Sequence, residues 1–417
     1  MMRRPGARPR RTTDPYGIGP IVGLVWPAVA VVGLILIAFV SIGLMNGQVP
    51  FLKTASTGSG GSDGGGPVLT PAPSNRVIVP TQLTFPGSIA YAKAGNIWIE
   101  TSSGAQQLTD GGEDSMPAFS PDGQWVYFIR SVEGRGKFPN GGNGSRTWYD
   151  LSTPNLMRIK PDGSGVERLL SGRFQSGGST WFFWMREPTP SPDGKSVMLI
   201  TDGPNPLQSD IVLKRFDLAT RKIVPLNLPQ SGHLGHEDPA WRPDGKLLVY
   251  VRNGRDGPRG VPQLDKYDPA SKRATPFTGP GYLAPAFSPD GRFVAATKTD
   301  AFGTDVVLLD ATGKEILEVT DDHHSFSPVW SPAGNAVSFL HLAGTIVDLR
   351  MATLDASTGR WAVTKTIDLT KVSGLDGASR PSWFVPPAQL PAPSSPASAA
   401  PSSPGSAAPG ASASSAP

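Results

Sequence analysis

Four of the five histidines in this 417-residue chain fall in two short acidic stretches. "HLGHEDP" carries His233, His236, Glu237 and Asp238, and "DDHHSF" carries Asp321, Asp322, His323 and His324. Imidazole nitrogens beside carboxylate oxygens form a donor set for a divalent ion. His233, His236, His323 and His324 are therefore the candidate metal ligands, and a divalent metal is the one cofactor the sequence suggests. Polar loops also hold His and Asp simply to satisfy turn backbone and water, and His-x-x-His in a loop is a weak signal alone. One literal Gly-x-Ser-x-Gly exists, Gly60-Gly61-Ser62-Asp63-Gly64, but no strand precedes it and no helix follows, as a nucleophile elbow requires. The chain has no cysteine, which excludes disulfides, thiolate metal sites and Cys nucleophiles.

A second set of residues suits contact better than chemistry. "STWFFWMRE" holds Trp181, Phe182, Phe183, Trp184, Arg186 and Glu187, and "PGYLAP" holds Tyr282. The stretch from Val132 to Pro154 reads as a long loop with Arg135, Lys137, Arg146, Trp148 and Tyr149 among glycines. Aromatic and Arg enrichment marks interface hot spots, and long loops on rigid scaffolds carry recognition. The alternatives are core packing for the Trp cluster and a mobile insertion for the loop. Trp181, Trp184, Arg186, Glu187, Tyr282, Arg146 and Trp148 are the candidate partner- or ligand-binding residues.

What positions these residues is a phrase repeated five times. "MPAFSPDGQWVYFIRS" from Met116 returns as "EPTPSPDGKSVMLITD" from Glu187 and "DPAWRPDGKLLVYVRN" from Asp238. It returns again as "APAFSPDGRFVAATKTD" from Ala284 and "SPVWSPAGNAVSFLHL" from Ser327. Ser-Pro-Asp-Gly fits a type I turn with Ser at i, Pro at i+1 and Gly at i+3, and β-rich runs follow it. Each phrase is thus a strand, a tight turn and a second strand. Pro117, Pro188, Pro239, Pro285 and Pro328 open the first strand, which predicts an edge strand, since proline is tolerated at a strand's start and on a sheet edge.

A second turn signal follows the first in the later units, where Asp217, Asp268, Asp310 and Asp355 end a β run. Four strands per unit, radially repeated, make a propeller blade. Five complete blades fit between residues 113 and 372. "SIAYAKAGNIWIETSSGAQQLT" supplies three strands without an opening phrase, and "ASRPSWFVPP", with Pro381 and Trp383, supplies an opening phrase without followers. Together they predict a sixth blade closed by strands from both ends, which removes the open edge. If first strands run from top to bottom, the histidine, Trp and Tyr282 loops and the 132–154 stretch share the top face.

Outside this domain, 87–387, the chain changes character. From Ile18 to Met45 there is no charged residue, and about 25 apolar residues at about 1.5 Å each span a bilayer core. We read 1–20 as a basic cytoplasmic tail, 21–45 as one transmembrane helix, 46–86 as a Gly/Ser/Pro-rich linker and 388–417 as a disordered Pro/Ala/Ser-rich tail. Arg3, Arg4, Arg8, Arg10 and Arg11 precede the apolar stretch and only Lys53 follows closely, which predicts an N-terminus inside and the propeller outside. The competing reading is a cleaved signal peptide, for which Ser41 and Gly43 are suitably small. The formal charge of +4 comes largely from the N-terminal region, so the globular part is near neutral and nucleic acid is not an expected partner.

Repeats of the form "PAFSPDG…D…LT" over about residues 85–387 resemble the WD-like propeller repeats of the TolB family, which also occur in prolyl-oligopeptidase-type peptidases. The resemblance implies a six-bladed propeller used for protein–protein contact at the cell envelope. True TolB carries an α/β domain before its propeller, whereas this chain has an apolar segment and a Gly/Ser tether, and there is no room for a peptidase domain. The histidine loops resemble those of oligogalacturonate lyases, which use histidines and a metal. The expectation is therefore an all-β, six-bladed, membrane-anchored module that binds an envelope protein or extracellular ligand. The alternative is a metal-dependent, lyase-like enzyme acting on an acidic saccharide.

Overall fold

The computed structural model describes residues 78–79, 85–140, 145–206, 211–226, 228, 235–253 and 261–390. The apolar segment 21–45 lies outside these residues; among the described ones, no helix is long and apolar enough to cross a membrane.

Five four-stranded antiparallel sheets follow one another in strict sequence order, each beginning at an edge. Their first strands are Asp114–Phe119, Met185–Pro190, His236–Trp241, Tyr282–Phe287 and Ser325–Trp330, for blades 1 to 5. These strands touch one another from blade to blade around the ring, so they are the innermost strands and line the axial channel. The sixth sheet is the predicted closure. Ser382–Phe384 takes the inner position and pairs antiparallel with Ser88–Lys93, matching Ile89 with Trp383. Asn96–Thr101 and Gly104–Gln107 complete that blade, and Ile78–Val79 adds a fifth strand outside it. Trp383 fixes the seam by packing edge-on to Phe85 and donating its indole N–H to Pro86 O at 2.9 Å.

The Ser-Pro-Asp-Gly turns form as their chemistry requires. In blade 1 the Gly123 N–H donates to Ser120 O at 2.9 Å, Gly123 takes φ +67°, and the Ser120 hydroxyl donates to Asp122 at 2.6 Å. Asp217, Asp268, Asp310 and Asp355 each accept backbone N–H bonds in the later turns.

The prolines require a correction. Each is the fourth residue of its six-residue inner strand, not the first, and each sits where the register slips against the second strand. The residue before it lies in the left-handed region: Met116, Glu187, Asp238, Ala284 and Ser327 have φ between 46° and 55°. A bulge lets the strand accommodate a residue with no N–H to donate. It also turns the preceding N–H away from its own sheet. Glu187 N–H donates to Met116 Sδ, Asp238 N–H to Glu187 Oε2, and Ala284 N–H to Asp238 Oδ2. Met116 N–H donates to Ser379 Oγ and Ser327 N–H to Thr297 Oγ1. Neighbouring blades are thus joined by a chain of hydrogen bonds around the axis.

The described residues of 132–154 are also not a loop. They form the outer half of a hairpin of two 15-residue strands, Val126–Asn140 and Ser145–Ile159, paired from Val126↔Ile159 out to Asn140↔Ser145. A short hairpin, Arg173–Ser176 with Ser179–Phe182, lies against it. Trp181 and Phe182, expected in the loop before blade 2, instead end this second hairpin.

Candidate functional site

Because every inner strand runs the same way, the loops before them and the second-to-third-strand connections share one face, the top. The sequence-predicted residues divide there into three places.

The axial channel holds Arg186 and Glu187. Arg186 pairs with Glu237 at 2.6 Å and with Glu187 at 3.3 Å, while Glu187 accepts the Asp238 N–H. Burial, with Asp238 beside it, pushes the Glu187 carboxyl above its ordinary value; burial also raises Glu237, against the pull of Arg186. Arg380, from the loop that leads into the closing strand, reaches across and donates to Pro285 O and Pro239 O, both at 2.9 Å. Its partners belong to blades 3 and 4, on the far side of the ring from blade 6. Arg380 sits one residue before Pro381, where the other repeats have their bulge residue, but it is not among the positive-φ residues. Nothing in the sequence signalled its role except that exchange of Met, Glu, Asp, Ala or Ser for Arg.

The described candidate histidines do not converge. His233 lies outside the described residues. His236 is buried in blade 3, where its Nδ1 accepts the Leu213 N–H at 3.2 Å and its ring packs edge-on to Tyr250. His323 bonds Asp305 through Nδ1 at 2.8 Å, and the Nδ1 of His324 contacts Asp322 O at 2.5 Å. Asp322 also meets His341, the one histidine the sequence reading left aside, at 3.1 Å. Among the described residues no three His, Asp or Glu side chains gather as a metal ion would need. The described donors therefore do not by themselves form a divalent-ion site. Tyr282 is likewise engaged, donating to Glu315 at 3.2 Å.

The third place is the pair of hairpins on the rim. Trp148 is 53% exposed, with Lys137 Nζ 5.0 Å and Arg135 Cζ 5.7 Å from its ring centre. Arg146 is not free for a ligand in the same way: its Nε donates to Ser179 Oγ at 2.8 Å and a second nitrogen donates to Gly177 O, tying the two hairpins together. Trp181 is partly covered and donates its indole N–H to Ser176 O at 3.0 Å. Trp184 is 54% exposed and stands edge-on to Phe182. The Trp cluster therefore splits: Phe183 is core, Trp184 is surface.

A closed ring of six blades with its seam shared by both chain ends defines the protein as a six-bladed β-propeller. Comparison with solved structures narrows this to the TolB-type fold. TolB from Acinetobacter baumannii matches with a TM-score of 0.50 at 19% identity, covering 71% of this chain and 66% of that one. A TolB-related protein from Agrobacterium tumefaciens gives 0.49 at 17% identity, covering 73% and 96%. Among curated proteins, an uncharacterized protein of Agrobacterium fabrum is 30% identical over 162 residues, 37% of this chain and 45% of its own length, so the match spans less than half of that relative. No family model matches the chain.

Proposed function

We propose that the chain is a membrane-anchored, extracytoplasmic binding module whose top face docks an envelope protein. The observation that carries this is an asymmetry. Of the nine large apolar side chains that stand exposed among the described residues, seven lie on the top face, including Trp148, Tyr149, Trp184, Phe302 and Val372; only Val166 and Ile316 lie elsewhere. Scattered exposed apolar residues need no explanation, but a one-sided set rich in aromatics and bordered by arginines is the composition of an interface. The TolB-type fold and the apolar segment 21–45 behind a basic N-terminus support the same reading, with the propeller outside and a Gly/Ser tether giving it reach.

The test is site-specific photocrosslinking in the native membrane, with the crosslinker placed in turn at Trp184, Phe302, Val166 and Ile316. Adducts with a protein partner are expected from the first two positions and not from the last two. Equal yields from both sets, or none from the top positions, would overturn the assignment of the face.

A further inference from the structure

We propose that the outward face of the long hairpin binds an extended acidic segment of that partner, with carboxylates at alternate positions. This rests on the top face being the docking face and adds the chemistry of what docks.

The register decides which residues are available. Cross-strand partners share a face and successive residues alternate between faces. One face carries Leu151 with Gly134 and Gly136 and turns toward the short hairpin. Leu151 is buried there, and a Cβ at Gly136 would come within 2.8 Å of Thr180 Cβ, so these glycines allow close contact. The opposite face must then be the outward one. It carries Lys137 opposite Trp148 and Arg135 opposite Asp150.

This face is cationic and incompletely paired. On it Arg135, Lys137 and Arg146 stand against Glu133 and Asp150, with Arg146 already tied to the short hairpin. Among the described residues no carboxylate pairs with Lys137. Arg135 meets Asp150 at 3.3 Å, but the two side chains are 68% and 83% exposed, so that pair contributes little and is readily exchanged. Arg135 and Lys137 are two apart on one strand, about 7 Å, which is also the spacing of residues i and i+2 in an extended peptide. An acidic strand laid along the hairpin would place alternate carboxylates on these two cations and an apolar side chain on the same side of the strand against the exposed part of Trp148. The short hairpin backs the site, so the docking surface is already formed before the partner arrives.

The experiment uses the purified full chain in detergent and a fluorescent synthetic peptide with glutamates at alternate positions. A peptide of the same composition with its glutamates clustered at one end, and polygalacturonate, serve as comparisons. The alternating peptide is expected to bind, and Trp148→Ala and the double change Arg135→Gln/Lys137→Gln are each expected to weaken it about tenfold. Both variants should melt with the parent, since these side chains are exposed. The clustered peptide should bind more weakly than the alternating one. Absence of binding by the alternating peptide, unchanged binding by Trp148→Ala, or tighter binding of polygalacturonate than of either peptide would each overturn the proposal. Crosslinking from Trp184 and Phe302 would be untouched by those failures, so the docking face and the chemistry of the docked segment are judged separately.

Discussion

Replacing Arg380 with Met keeps an unbranched apolar stem and removes the five donors. The guanidinium makes two bonds across the channel, to Pro285 O and Pro239 O at 2.9 Å each. Hydrogen bonds involving a charged group contribute about 1.5–3 kcal/mol each. Water entering the channel would recover part of that by solvating the freed carbonyls, leaving a net loss of about 2–4 kcal/mol. For a domain of this size, roughly 2 °C of melting temperature accompanies each kcal/mol, so Arg380→Met should melt about 4–8 °C below the parent. The closing strand has only three residues, so the loss should appear first at the seam, as earlier proteolytic release of the C-terminal segment. Thermal unfolding followed by near-UV circular dichroism, with proteolysis in parallel, reads both effects. Arg360→Met, on an exposed turn of blade 5, is the control. If Arg380→Met melts with that control, the reasoning about a cross-channel pin is wrong.

Burial lifts the Glu100 carboxyl to about 7, with the Tyr91 hydroxyl and Lys93 pulling the other way. The folded protein therefore keeps a proton that the unfolded chain releases between about pH 4.5 and 7, and stability falls as pH rises through that window. Glu100→Gln should flatten this slope by up to about 3 kcal/mol across the window; an unchanged slope in urea melts at several pH values would refute it. Gly136→Val would drive side-chain atoms against Leu151 and Thr180, where a Cβ alone already lies within 2.8 Å. A loss of about 1–3 kcal/mol is expected, along with faster amide exchange in the short hairpin by mass spectrometry. An exchange pattern identical to the parent's would show that the two hairpins are not tightly packed.

The blade count, the strand-turn-strand phrase and the seam were legible because each is written in local chemistry: Pro and Gly in the turns, β-branched runs after them, and two fragments that each lacked what the other had. The position of the prolines is not legible in the same way, because the rule that keeps proline out of strand interiors has an exception at bulges, and a bulge is visible only once two strands are paired. The 132–154 stretch looked like a loop because its glycines are usually turn residues. Here Gly134 and Gly136 serve close packing against a hairpin whose signal, the Gly177-Gly178 pair between two short runs, lies outside the repeated phrase. The aromatic cluster at 181–184 could not be divided from sequence, since Phe183 and Trp184 sit in the two-residue link between strands ending at Phe182 and beginning at Met185, where no alternation marks which side chain turns inward. The His loops drew attention by composition alone, yet His236 is held inside a blade by a backbone N–H 23 residues away.

The hydrogen bonds that link successive bulges have a bearing on how such a chain can change. In each of three links the acceptor atom belongs to one repeat and the donor to the next: sulfur from Met116, then carboxylates from Glu187 and Asp238. A repeat is therefore fitted to its particular neighbours, and its position in the order matters as much as its shape. Duplicating, deleting or transposing one unit would leave mismatched contacts on both of its flanks, even though the phrases read almost alike.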